Sequence, residues 1–166
     1  MIGSVSIVTA AQSVKMPASK VIAIFDGRSF SHPIRLPKQV LDALLRDVHT
    51  SYAQDWSKDH PKGDLNQFFV ATTAHIAQSD EVDWVVEGQA PLTGADCNWF
   101  WIVRDEPAGP RVVLFYNGYT LRIHAHRTNG LSDVSAVWES PNERSTSEYR
   151  YDGMGYKLIR KYWKGK

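Results

Sequence analysis

Four residues in the C-terminal half have the types and spacing to do chemistry: Arg111, Arg122, His124 and His126. They belong to two alternating runs, Arg111–Tyr116 and Tyr119–His126, separated by Asn117-Gly118. Asn-Gly between such runs is a strong hairpin signal, because both central residues of a type I′ turn take positive φ. A two-residue turn here sets Tyr116 opposite Tyr119, and Arg111 opposite His124. Side chains alternate along a strand, so Val112, Leu114, Leu121 and Ile123 are predicted to share the core face. Arg111, Arg122, His124 and His126 are predicted to share the other face with Thr120.

Two imidazoles at i and i+2 stand roughly 7 Å apart on one face, a separation that two ligands of one metal can span. Zinc or iron needs a third ligand, and the nearest acids are Asp133 and Glu139 on the next strand. Two flanking arginines repel a cation. The set suits an anion better, since guanidinium forks onto a carboxylate or phosphate and imidazole adds a donor. A third chemistry is a hydrolase with His124 or His126 as general base, oriented by Asp133 or Glu139. Against all of these stands the ordinary polar outer face of an antiparallel sheet.

Other nucleophile and phosphate motifs are missing. There is no G-x-S-x-G elbow, no Walker-type loop, no G-x-G-x-x-G and no H-E-x-x-H. No motif calls for a cofactor. Cys97 follows Asp96, whose charge disfavours a thiolate, and reads as a buried structural cysteine. Asp64-Leu-Asn66 starts like a calcium loop, but Phe68 takes the fifth position and no glycine follows, so it reads as a turn or strand start. Glu81, Asp83 and Glu87 alternate with Val82, Trp84 and Val86, the pattern of a polar strand face. Trp99, Trp101, Tyr116, Tyr119, Trp138, Tyr149, Tyr151, Tyr156, Tyr162 and Trp163 offer a stacking surface for sugars, or core packing in strands.

These residues must be held by a single domain. The chain has 166 residues, 43% hydrophobic and 22% charged, which is ordinary for one globular unit. A net charge of +1 gives no global pull toward nucleic acid or acidic lipid. Residues 157–166 nevertheless hold five Lys or Arg and no acid, leaving 14 basic against 18 acidic residues elsewhere. Such a segment meets an anionic partner or guards a sheet edge against aggregation. No apolar run approaches the roughly 18 residues of a membrane span. One cysteine cannot form an intrachain disulfide, so the compartment stays open between periplasmic or exported and cytoplasmic. Residues 1–20 read as a flexible N-terminus or the remnant of an export signal, and 21–166 as the domain.

Val21–Phe25 reads as a strand. Pro37 opens a helix whose stripe is Val40, Leu41, Leu44, Leu45, Val48 and Tyr52, predicted to run over about 37–55. Strands are predicted at Phe68–His75, Val82–Glu87, Trp99–Val103, the two runs of the hairpin, Val134–Trp138, and a last hairpin of Glu148–Tyr151 with Tyr156–Trp163. Trp99–Val103 is apolar throughout, as for a strand covered on both faces, one of them by the helix. Ser140–Ser147 reads as a loop. The predicted fold is α+β, one main amphipathic helix on a twisted, mostly antiparallel sheet of about six to eight strands.

From about Asp83 to Trp163 the chain resembles a loosely defined group of small, often exported bacterial proteins. The resemblance lies in Cys97-Asn98-Trp99, Thr128-Asn-Gly-Leu-Ser-Asp133 and Tyr149-Arg-Tyr-Asp-Gly-Met-Gly-Tyr156. It implies an antiparallel fold and an envelope setting, and some similar proteins look like immunity or inhibitor proteins. The expectation is therefore a non-enzymatic bacterial binding protein of immunity, inhibitor or envelope type. It would recognise an acidic protein or small anionic ligand through Arg111, Arg122, His124 and His126. The hydrolase and a carbohydrate-binding module are the alternatives.

Overall fold

The computed structural model describes residues 19–30, 32–77, 81–93 and 97–165. Most of the 1–20 segment singled out above thus lies outside the described residues. The elements in chain order are β1 (Val21–Phe25), α1 (Lys38–Leu44), α2 (Ser51–Asp59), β2 (Phe69–Ala74), β3 (Asp83–Gly88), β4 (Asn98–Arg104), β5 (Arg111–Gly118), β6 (Thr120–Thr128), β7 (Leu131–Glu139), β8 (Glu143–Tyr151) and β9 (Tyr156–Gly165). The fold is α+β and antiparallel, with nine strands in two sheets rather than one. One sheet has the order β2-β3-β4-β5, the other β1-β6-β7-β8-β9.

The four-stranded sheet is the middle of three layers. The alternation of β3 and β4 divides their side chains between two cores. Val85, Phe100 and Ile102 face the five-stranded sheet and pack with Leu121, Ile123, Val134 and Ala136. Trp84, Val86, Trp101 and Val103 face the helices and pack with Val40, Leu41, Leu44 and Ala53. This double burial is why Trp99–Val103 carries no polar position. The outward face of the five-stranded sheet has no layer over it among the described residues.

The helical layer is two short helices, not one. Thr50 Oγ1 donates to the carbonyls of Leu44 and Asp47, both at 2.8 Å, and Asp47 Oδ1 accepts from the His49 backbone N–H at 2.9 Å. These side-chain bonds compete with the helical ladder and install a 3₁₀ turn over Val48–Thr50 before the chain restarts as α2. The predicted stripe is cut there, so Val48 and Tyr52 stand 76% and 51% exposed.

The predicted hairpin at Asn117-Gly118 does not form. β5 pairs with β4, while β6 pairs with β1 and β7. The chain passes from one sheet to the other between Gly118 and Thr120. Leu114 and Leu121 do meet in one core, but across the space between sheets rather than side by side. Gly118 is not among the residues with positive φ. Its missing side chain serves packing instead, because a Cβ there would overlap the ring of Tyr116. Asn129-Gly130 is the true tight turn, with φ of 51° and 84°, joining β6 to β7. The β8–β9 turn uses Gly153 at φ 103°, with Asp152 Oδ1 accepting from the backbone of Met154 and Gly155.

The predicted loop at Ser140–Ser147 is largely strand. β8 begins at Glu143 and pairs on both sides, burying the small side chains of Ser145 and Ser147. No helix among the described residues is long and apolar enough to cross a membrane.

Candidate functional site

The site is assembled on the outward face of the five-stranded sheet. In β6, Leu121 and Ile123 enter the core, so Arg122 and His124 point away from it. Ser135 lies opposite Arg122 on β7, Glu148 opposite Ser135 on β8, and Arg160 opposite Glu148 on β9. This cross-strand row, Arg122–Ser135–Glu148–Arg160, runs through the face, with Ile24 of β1 at its far end. A neighbouring row sets Glu139, Arg144 and Lys164 side by side, and Lys157 stands opposite Arg150.

Three of the four residues singled out from the sequence therefore share this face, and Arg111 does not. It sits on β5 in the other sheet. There its Nε donates to Glu106 Oε2 at 2.8 Å, and its guanidinium also reaches the Met154 carbonyl and the Tyr151 hydroxyl. The Glu106 carboxylate raises the Arg111 pKa, and Arg111 in turn lowers that of Glu106. The pairing of Arg111 with His124 is lost because it depended on the hairpin.

The two histidines have separate partners. His124 hydrogen-bonds through Nε2 to Ser135 Oγ at 2.8 Å, and through Nδ1 to the Ser19 carbonyl at 3.3 Å. His126 Nδ1 lies 2.8 Å from Asp133 Oδ2. Thr128 Oγ1 donates to the other Asp133 oxygen at 2.7 Å, and Arg150 Nε is 3.5 Å from Oδ2. Asp133 thus orients His126, as a general base requires, and the β6 strand is irregular between Ile123 and Arg127 where this contact is made. Among the described residues no group of three or more His, Cys, Asp or Glu could hold a metal ion.

Arg122 differs from the other cations of this face and shares its feature with Arg104 of the other sheet. The Arg122 Nε is buried and has no hydrogen-bond partner among the described residues. A buried guanidinium N–H without an acceptor is costly, on the order of 1–3 kcal/mol.

Charge on the face is one-sided. Arg122, Arg144, Arg150, Lys157, Arg160 and Lys164 point outward, against Asp133, Glu139 and Glu148. Arg144 and Arg150 were not singled out from the sequence, and Lys157, Arg160 and Lys164 were noted only as part of the basic 157–166 segment. The signal was there in the alternation Arg144, Thr146, Glu148, Arg150, but the reading of Ser140–Ser147 as a loop hid it.

Two carboxylates read as solvent-facing are interior. Asp83 is 1% and Glu87 6% exposed, because both faces of β3 are covered. Asp83 Oδ2 accepts from the backbone N–H groups of Ile76 and Ala77 at 3.3 and 3.2 Å, and burial raises its pKa. Burial, helped by the charge of Asp26, pushes the Glu87 carboxyl up to about 7. Glu81 lies before the strand and pairs with Arg104 at 3.0 Å. Cys97 is half-buried rather than buried. Asp64 binds Arg35 through both carboxylate oxygens and caps a 3₁₀ turn, so its oxygens are committed to protein partners.

No protein-family model, no curated protein and no solved structure matches this chain. The turn residues of the motifs quoted for the resemblance, Asn129-Gly130 and Asp152-Gly153, are accounted for by backbone geometry.

Proposed function

We propose that this is a non-enzymatic binding protein that docks an acidic protein partner on the outward face of the five-stranded sheet. The observation that carries the reading is the excess of six Lys or Arg over three Asp or Glu on the outward face of β6–β9. Complementary charge steers encounter and selects partners, and guanidinium groups give it geometric definition. The role fits an immunity, inhibitor or envelope protein, the setting implied by the resemblance above.

The test is an affinity capture from a bacterial lysate and culture medium, run with the wild type and with an R122A/H124A/H126A/R160A variant of unchanged circular dichroism. The expected result is a stoichiometric acidic partner, released by salt and absent from the variant. A partner retained equally by both proteins would refute this placement of the site.

One observation favours a second reading. The oriented His126–Asp133 pair could serve a hydrolase. It lies on a sheet face, and the nearby Thr128 hydroxyl donates to Asp133 rather than to the imidazole. A screen of ester and glycoside substrates in which H126A abolishes turnover would favour it over binding.

A further inference from the structure

The opposite face of the same sheet has a different character. β8 and β9 run nine and ten residues, longer than the six and seven residues of β3 and β4 in the facing sheet. β5 is the edge of that sheet and leaves it at Gly118. Among the described residues the inward side of β7–β9 is therefore uncovered beyond β5, and a cleft of about 370 Å³ opens there. This volume falls within the range of small-ligand sites.

Aromatic rings make the walls. Trp138 and Trp163 stand edge to face with centroids 6.3 Å apart, and Tyr116 and Tyr149 repeat that arrangement at 6.3 Å. Trp163 is 59% exposed, so its ring meets solvent rather than core. The floor is polar, formed by the buried hydroxyls of Ser145 and Ser147, and Asn117 stands at the rim. Lys161 places its ammonium 4.5 Å from the centroid of the Trp163 ring, inside the cleft. Among the described residues no carboxylate lines the cleft.

We infer that this cleft is a second binding site, which takes an acidic oligosaccharide, a chain of uronic-acid sugars. A pyranose ring has an apolar C–H face that stacks on an aromatic side chain and an equatorial edge of hydroxyls that needs donors and acceptors. An acyl chain would offer no acceptor to the Lys161 ammonium or to the polar group of Asn117 at the rim. The charge of the occupant follows from Lys161. Held over the indole by the cation–π attraction, its ammonium is the only formal charge in the lining among the described residues. A ring carboxylate would meet it with a charge-assisted hydrogen bond.

The test is calorimetry, with tryptophan fluorescence in parallel, using trigalacturonate and the neutral cellotriose as probes. Trigalacturonate is expected to bind and to shift the emission, and cellotriose to bind about tenfold or more weakly. Trp163→Ala is expected to lower trigalacturonate affinity about tenfold, the scale of one lost stacking contact. Lys161→Gln is expected to remove the preference for the acidic probe while keeping cellotriose affinity. Both residues are exposed strand positions, and circular dichroism confirms that the variants fold. The R122A/H124A/H126A/R160A variant, altered on the other face, is expected to bind trigalacturonate as the wild type does. The inference is overturned if neither probe binds, if the two bind equally, or if W163A or K161Q leaves trigalacturonate affinity unchanged.

Discussion

Replacing Glu87 by Gln should convert a pH-dependent stability into a nearly pH-independent one at this position. Glu87 lies opposite Phe100 in the interior between the sheets, and burial raises its carboxyl pKa from 4.5 to about 7. Between those values the folded protein holds a proton that the unfolded chain has released. Stability therefore falls as pH rises through this window. The favourable contribution is complete below pH 4.5 and is lost as the folded carboxyl ionises near pH 7. At 1.36 kcal/mol for each pH step, the interval amounts to about 3 kcal/mol. Glutamine stays neutral throughout and resembles the protonated acid in shape. The assay is urea unfolding followed by tryptophan fluorescence at pH 5, 6, 7, 8 and 9. Near pH 5 the two proteins should be of similar stability. By pH 8–9 the E87Q protein should have gained about 3 kcal/mol relative to wild type. Every other group is the same in both proteins and cancels in the difference to a first approximation. Parallel stability curves from pH 5 to 9 would refute the argument, because they would mean that ionised Glu87 is solvated in the folded state.

Other outcomes follow from individual contacts. Gly130→Ala should cost about 1 kcal/mol, since residue 130 sits at φ 84°, and the measurement is the urea midpoint. Gly118→Ala should cost about 1–3 kcal/mol through its overlap with Tyr116, despite an ordinary φ, and near-ultraviolet circular dichroism of the tyrosines should change with it. Thr50→Val keeps the shape but removes the hydroxyl bonds to Leu44 and Asp47. It should lose about 1–2 kcal/mol in thermal unfolding. Asp133→Asn should weaken the hold on His126 and Arg150, broadening the His126 imidazole resonances in NMR spectra while leaving the core signals in place.

Much of the architecture was legible in local chemistry. The strands flanking Asn129-Gly130 and Asp152-Gly153 followed from turn residues, and the apolar Trp99–Val103 run placed a strand under two layers. The failures share a cause. Alternating runs around Asn117-Gly118 state that Leu114 and Leu121 face a core, but such a pattern is the same for strands that hydrogen-bond and for strands stacked face to face. Pattern is equally blind to the Tyr116 ring, which occupies the space over residue 118. Periodicity likewise could not register that Thr50 and Asp47 would interrupt a helix with side-chain hydrogen bonds. Glu87 was read as solvent-facing because alternation separates two faces without saying what lies against each. For the candidate site, Arg122, His124 and His126 were found from spacing. Arg144, Arg150, Lys157, Arg160 and Lys164 required knowing that β8 and β9 extend the same face.

The position of β9 has a consequence for how the molecule can change. The core between the sheets ends at Tyr156, the core under the helices does not extend past β5, and no residue from Lys157 to Gly165 contributes a buried side chain. That strand nevertheless carries cations on one side and Lys161 and Trp163 on the other. It is an interchangeable strip: its specificity on two surfaces can be rewritten residue by residue, with the two cores left as a fixed chassis beneath it.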